Sequence, residues 1–200
     1  MRLVADASEA ASILIHTPGA VIAYPTETFY GLGTRISDPQ GIERIIRIKG
    51  RDAAKGMIVL TDGIEGARSI AVMDDRQEAL LNRFWPGPLS AVLVARPNVN
   101  PMLSPQGKIA VRVSPLPLAR ELMQIAGPLT STSANLSGKA PARTPGEIAA
   151  WDPDIDAILD GGSTAGGNPS TLIDLTSWPP RCLREGAVPL KTIMAAFTAR

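Results

Sequence analysis

Apolar residues along the chain fall into short runs of two kinds, some at helical spacing and some continuous, and their succession predicts a sheet covered by helices. Asp6 with Glu9 three residues on has the shape of a capping box, and Ala10, Ile13, Leu14 and Thr17 then share one helical face. The run 20–24 (AVIAY) ends at Pro25 and predicts a buried strand feeding a loop, TETFYGLGTR, at 26–35. Ser37 or Asp38 can cap a second helix, with Pro39 in its first turn and Ile42, Ile45 and Ile46 as its apolar stripe. That helix delivers the chain to Lys49-Gly50-Arg51. Further strands are predicted at 57–60, 89–95, 109–113, 128–133, 155–160 and 171–175. Helices are predicted at 75–84, at 116–126 with Leu118, Leu122 and Ile125 inward, at 145–150 and at 189–199.

This order of elements predicts an α/β fold whose sheet is part parallel and part antiparallel. No repeat, long linker or boundary interrupts it, so one domain is expected over residues 1–200. The glycine-rich stretch 161–170 (GGSTAGGNPS) reads as a mobile loop over a site. A 44% hydrophobic and 20% charged composition over 200 residues supports one sizeable core. The formal charge of +1 excludes neither nucleic acid nor a small anionic ligand, because a basic cleft can be balanced by acids elsewhere. The single cysteine, Cys182, and single histidine, His16, cannot make an internal disulfide or a His/Cys zinc cluster, and His16 reads as a surface residue. The polar opening MRLVADASEAAS lacks a signal-peptide core and no segment reaches membrane-spanning length, so a cytoplasmic protein without membrane contact is expected.

Chemistry has few candidate carriers. No GxxxxGK[ST] motif is present, and Gly31-Leu32-Gly33 is too short to name a dinucleotide site. Lys49-x-Arg51 and Ser133-x-Asn135 each have a period of two, so either segment, if extended, turns both polar groups to one side. Together they could face a polyphosphate, with lysine as point charge and arginine as planar fork. On spacing alone, Arg44, Arg47, Lys49, Arg51 and Lys55 read first as a solvated basic face, with an RNA-contacting patch as an intermediate reading. The few nearby aromatics argue against single-strand stacking. TSTSAN, at 130–135, could equally be a strand exit whose hydroxyls cap a turn. Arg112, inside the apolar strand IAVRV, needs a partner, either a substrate carboxylate or an internal acid. Trp85-Pro86-Gly87-Pro88 reads as a structural turn and hydrophobic anchor.

YPTETFYGLG (24–33), IKGR (48–51), FWPGPLSAVL (84–93), AVRVSPLPLA (110–119), STSANLSG (131–138), NPSTLID (168–174) and LREG (183–186) resemble, in order, the signature blocks of the YrdC-like (TsaC) family. They cover most of the chain, and K-x-R combined with S-x-N is that family's hallmark. The resemblance implies a twisted open sheet with a concave basic face that holds ATP beside L-threonine. It implies nucleotide and phosphate contacts for Lys49, Arg51, Lys55, Ser131, Ser133, Asn135 and Arg184, with Lys49 and Arg51 as the catalytic charges. For L-threonine it implies Thr28, Arg112 and Ser170, with Arg112 on the carboxylate. The chain departs from many relatives in carrying Asp52 after Arg51, Gly56-Met57 in place of a Pro-Leu pair, and Leu60 where a histidine is frequent.

The implied reaction is the union of L-threonine, bicarbonate and ATP into threonylcarbamoyl-AMP, with Mg²⁺ arriving on the nucleotide and no metal held by protein side chains. The implied partner is a transferase that places the threonylcarbamoyl group on adenosine 37 of tRNA, with weak RNA binding as a lesser expectation. A carbamoyl-adenylating module of hydrogenase maturation is disfavoured because its zinc-finger and acylphosphatase segments are missing. The rival from another class is a non-catalytic RNA-binding or ribosome-maturation factor.

Overall fold

The computed structural model describes residues 1–50 and 56–198, so Arg51 and Lys55 lie outside the described residues. The chain runs β1 (Arg2–Val4), α1 (Ala7–His16), β2 (Ile22–Pro25), β3 (Tyr30–Gly33), α2 (Pro39–Lys49), β4 (Ile58–Thr61), α3 (Ile64–Ile70), β5 (Ala71–Val72) and α4 (Asp75–Leu81). It continues through β6 (Leu89–Ala95), β7 (Lys108–Val113), α5 (Pro117–Ala126), β8 (Leu129–Ser133), α6 (Pro145–Trp151), β9 (Ala157–Leu159), β10 (Thr171–Asp174), β11 (Arg181–Arg184) and α7 (Leu190–Thr198). The strands form one mixed sheet in the order β1-β9-β2-β3-β8-β4-β7-β6-β10-β11, with β5 beside β6. The pairs β1/β9, β2/β9, β4/β7 and β6/β10 are parallel, and the remainder are antiparallel.

Side chains on successive strand residues point to opposite faces, and each face of this sheet has its own apolar layer. Ala23 on β2, Val59 on β4, Leu89, Ala91 and Leu93 on β6, and Ile109, Val111 and Val113 on β7 join residues from α2, α3, α4, α6 and α7 in the larger cluster. Their neighbours Ile22, Tyr24, Leu60 and Leu129 turn the other way and pack with α1 and α5. Two helices cover that second face only in part. The polar residues Ser90, Arg112, Ser131 and Ser133 fall on it by the same alternation, and there the sheet stays open.

The strand at 89–95 and the helices at 116–126 and 145–150 form within a residue of their expected bounds. Asp6 caps α1 by accepting Glu9 N–H at 2.8 Å, which holds its carboxyl below the usual range, and Asp38 caps α2 by accepting from Gly41 at 3.1 Å. The buried stripe of α1 is Ala7, Ala10, Ala11 and Leu14, whereas Ile13 is half-buried and Thr17 exposed. Small side chains let α1 lie close to α5, which buries Ala119, Leu122, Met123 and Ala126 in return and leaves Ile125 45% exposed. The expected inward Ile125 is therefore corrected: the buried stripe is rotated by about one residue, roughly 100° about the helix axis.

The segment 26–35 is not simply a loop, because Tyr30–Gly33 returns as β3 antiparallel to β2, with Ala23 opposite Leu32 and Tyr24 opposite Gly31. Glycine is a poor strand signal. Here it is required by a close approach: a Cβ at Gly33 would lie 2.4 Å from Tyr24 Cε1 and 2.9 Å from the Thr130 carbonyl oxygen. The tetrapeptide around Trp85 behaves as an anchor, with Trp85 buried and donating to the Leu89 carbonyl at 2.6 Å while Gly87 N–H reaches the Val113 carbonyl at 2.8 Å.

Gly33→Ala should destabilise the protein by about 1–3 kcal/mol through overpacking against Tyr24 and β8. Urea unfolding of the two proteins measures this, and equal midpoints would show that β2, β3 and β8 can separate without cost.

Candidate active site

Lys49 is the last residue of α2, and Gly50 ends the helix in the left-handed conformation at φ 55° and ψ 36°. The condition of an extended Lys49-x-Arg51 is not met at its first residue, since Lys49 is helical, and Arg51 lies outside the described residues. The ammonium group reaches across to the exit of β8, donating to the Ser133 carbonyl at 2.5 Å, the Asn135 side-chain oxygen at 2.6 Å and the Asn135 carbonyl at 2.7 Å. Three short bonds match the three protons of an ammonium, which is what burying Lys49 to 5% exposure demands.

Ser133 and Asn135 converge because the chain turns, not because it is extended. Asn135 N–H donates to the Ser133 carbonyl at 3.0 Å, and Ser133 Oγ donates to Asn135 Oδ1 at 2.6 Å. Ser137 Oγ also donates to the Lys49 carbonyl at 2.8 Å, which fastens the turn to the end of α2. The Ser133 hydroxyl thus closes a turn, as the turn-capping reading of TSTSAN expects.

Arg44, from the same basic run, turns elsewhere. Arg44 forms ion pairs with Asp154 at 2.8 Å and Asp156 at 2.7 Å and donates to the Gly19 carbonyl at 3.2 Å. Its guanidinium holds Asp154 below the usual carboxylate range, chiefly through the hydrogen bond. Arg44 thereby ties α2 to the approach of β9, and Arg47 is exposed. The three described members, Arg44, Arg47 and Lys49, therefore do not share one solvated face.

Arg112 lies on β7 at 4% exposure, opposite Leu60 in the register with β4. Leu60 is fully buried in the apolar layer under α1 and α5, so that position offers no polar contact. Arg112 finds an internal partner in Glu27, donating from Nη1 to Oε1 at 2.8 Å, while Ser114 Oγ donates to the other Glu27 oxygen at 2.7 Å. Its Nε is fully buried and meets no acceptor among the described residues.

A cleft of about 380 Å³ opens on this face and is lined by Thr28, Gly31, Arg112, Ser131, Ser133 and Ser170, among others, with Arg184 at its edge. Thr28 Oγ1 sits 3.1 Å from Thr26 Oγ1. Ser170 shares a 2.9 Å hydrogen bond with the buried Ser90, and Arg184 Nη2 donates to the Ser170 carbonyl at 2.9 Å. The stretch 161–170 has no regular structure and carries positive φ at Gly162, Gly166 and Gly167. It is pinned at several points: Tyr30 takes Gly161 N–H at 3.0 Å and donates to the Gly162 carbonyl at 2.9 Å, and Gly166 N–H donates to the Thr28 carbonyl at 2.8 Å. Glu27, Ser90, Ser114 and Tyr30 were not singled out from the sequence. Glu27 had a signal, since Arg112 called for an acid, but it is one of 19 acids in the chain and nothing local marks it as the partner. A further cavity of about 420 Å³ shares Pro141 with the cleft and is lined by Leu136, Arg143 and Trp151.

Among the described residues no group of three His, Cys, Asp or Glu side chains is placed to hold a metal ion, and no helix is long and apolar enough to cross a membrane. The Sua5/YciO/YrdC family profile, described as "telomere recombination", matches residues 15–186. The chain is 40% identical over 181 residues to the threonylcarbamoyl-AMP synthase of Pyrococcus abyssi, covering 88% of this chain but only 53% of that protein. It is 37% identical over 162 residues to the threonylcarbamoyl-AMP synthase of Chromohalobacter salexigens, covering 80% and 88% of the two chains. Among solved structures, P. abyssi Sua5 complexed with L-threonine superposes with a TM-score of 0.91 at 33% identity, over 98% of this chain and 61% of that one. Escherichia coli YciO superposes at 0.86 and 28% identity, over 96% and 97%.

Beneath the cleft, burial pushes the Tyr24 hydroxyl up to about 12, against the opposing pull of Ser131 and Arg112. The folded state holds that proton more tightly than the unfolded chain does, so the contribution is complete below pH 10 and disappears as pH rises through 12. Wild-type protein should lose about 2–3 kcal/mol more than Tyr24→Phe across that window. Urea unfolding at pH 9 and pH 12 measures the difference, and parallel losses would contradict it.

Proposed function

The chain belongs to the Sua5/YciO/YrdC family, and on that premise we propose that its cleft joins L-threonine, bicarbonate and ATP into threonylcarbamoyl-AMP with release of pyrophosphate. The observation that carries this reading is that Ser133, bonded to Lys49, and Arg112 line the same cleft. One end can hold a polyanion and the other an amino-acid carboxylate. The names of the relatives and the L-threonine bound to P. abyssi Sua5 support the same pairing of substrates.

In this proposal Lys49, Arg51, Lys55, Ser131, Ser133, Asn135 and Arg184 bind ATP, and Thr28, Arg112 and Ser170 bind L-threonine. The threonine amine takes up bicarbonate to give a carbamate and water. A carbamate oxygen then attacks the α-phosphorus, the new P–O bond forms as the α–β bridging P–O bond breaks, and pyrophosphate leaves. No side chain needs to act as nucleophile. Lys49 and Arg51 offset charge that grows on the phosphates, while Arg112 fixes the amino acid in reach of the phosphorus. Mg²⁺ would enter as part of the substrate, magnesium-bound ATP, and would help to offset the phosphate charge. The mixed anhydride passes to a transferase acting on adenosine 37 of tRNA, and residues 1–200 act as one unit in the cytoplasm.

The test is pyrophosphate release from ATP, which should require both L-threonine and bicarbonate. Tight RNA binding without turnover would instead favour the RNA-binding rival. Lys49→Ala should lower turnover about 100-fold or more, because one charged transition-state contact is worth a few kcal/mol. Undiminished turnover would remove Lys49 from the mechanism.

A further inference from the structure

Arg112 presents two hydrogen-bonding edges that the fold treats differently. Its Nη1 is committed to Glu27 Oε1 at 2.8 Å. On the other edge, Nε is buried without an acceptor among the described residues, and Arg112 lines the cleft. A buried unpartnered donor of a charged group is costly, so its persistence in a folded protein asks for a function. The Nε/Nη2 edge of a guanidinium is one of the two that match a carboxylate in bidentate fashion.

Glu27 is itself held in place. Its Oε2 accepts from Ser114 Oγ at 2.7 Å, and the same Ser114 oxygen accepts the Leu116 N–H at 3.3 Å, at the N-cap of α5. With both oxygens engaged, Glu27 cannot rotate to cover Nε as well. Its charge also compensates the buried guanidinium while the cleft holds no carboxylate.

We propose that Glu27 is the positioning residue that fixes Arg112, so that only the Nε/Nη2 edge is offered to the carboxylate of the amino-acid substrate. Ser114 locks Glu27 in turn. The inference rests on the proposed L-threonine site and adds to it the selection of one edge. Glu27 does not touch substrate in this scheme; it acts through Arg112.

The experiment is calorimetric binding of L-threonine, of L-threoninamide and of magnesium-bound ATP to the full chain and its variants, with melting temperature recorded for each. In Glu27→Ala, L-threonine affinity should fall about 30-fold or more, equivalent to about 2 kcal/mol at 1.4 kcal/mol per tenfold. ATP affinity should stay within about threefold, and the preference for L-threonine over the amide should collapse, because the lost element is directed at a carboxylate. Glu27→Gln keeps an acceptor at Oε1 and should recover L-threonine affinity to within about fivefold of wild type, which a generally damaged fold would not. Ser114→Ala, a milder variant should Glu27→Ala fail to fold, should weaken L-threonine about 3–10-fold with ATP unchanged. Retention of L-threonine affinity and of the preference over the amide in folded Glu27→Ala or Ser114→Ala overturns the positioning role while leaving the proposed function standing. Wild-type protein that binds ATP but no L-threonine overturns both.

Discussion

Side chains on a strand must alternate between the two faces of a sheet, and in this protein helices roof one face fully and the other only in part. Five helices close over the larger cluster. On the second face, α1 and α5 shelter Ile22, Tyr24, Leu60 and Leu129, and beyond them the same face carries Ser90, Arg112, Ser131 and Ser133. The cleft is therefore the unroofed remainder of a sheet whose opposite side is a continuous apolar layer. Strand backbone rather than loop places most of its polar groups, which limits how far they can wander.

Among the described residues two cations are buried, Lys49 at the end of α2 and Arg112 on the open face, and each is held by a different solution to the same electrostatic problem. Removing an ammonium or guanidinium from water requires replacement partners, or the group would be driven out or discharged. Lys49 obtains oxygen acceptors from a tight turn after β8, which costs the fold a specific chain reversal. Arg112 obtains a carboxylate, Glu27, on one edge and keeps the other for the cleft. The combination suits a pair of anionic ligands of different size, one met by a compact charge and one by a planar fork.

The strands at 89–95 and 109–113 were legible because continuous β-branched and aliphatic runs bounded by proline and polar residues have few alternatives. The helix starting after Asp38 was legible because a cap, a proline in the first turn and a spaced isoleucine stripe agree. β3 was hidden by Gly31 and Gly33, whose value lies in what they leave out: the space is taken by the Tyr24 ring and the backbone of β8, which are remote in sequence. The short edge strands β1 and β11 carry exposed residues with little pattern, so pairing alone defines them. The face that α1 buries was misjudged by one position because the choice belongs to α5, its packing partner.

For the site, residue types and spacing raised Lys49, Ser133, Asn135 and Arg112 as candidates, but spacing alone read the basic run first as a solvated face and TSTSAN equally as a turn, and the resemblance to the YrdC-like family was what selected them. Local order cannot say which of them meet. Lys49 and Ser133 are 84 residues apart and Arg112 and Glu27 are 85 apart, and their contacts exist only once β8 is inserted between β3 and β4 and β7 is laid beside β4. Periodicity acts over a few residues, whereas hydrogen bonds act over a few ångströms, and only the folded sheet converts one distance into the other.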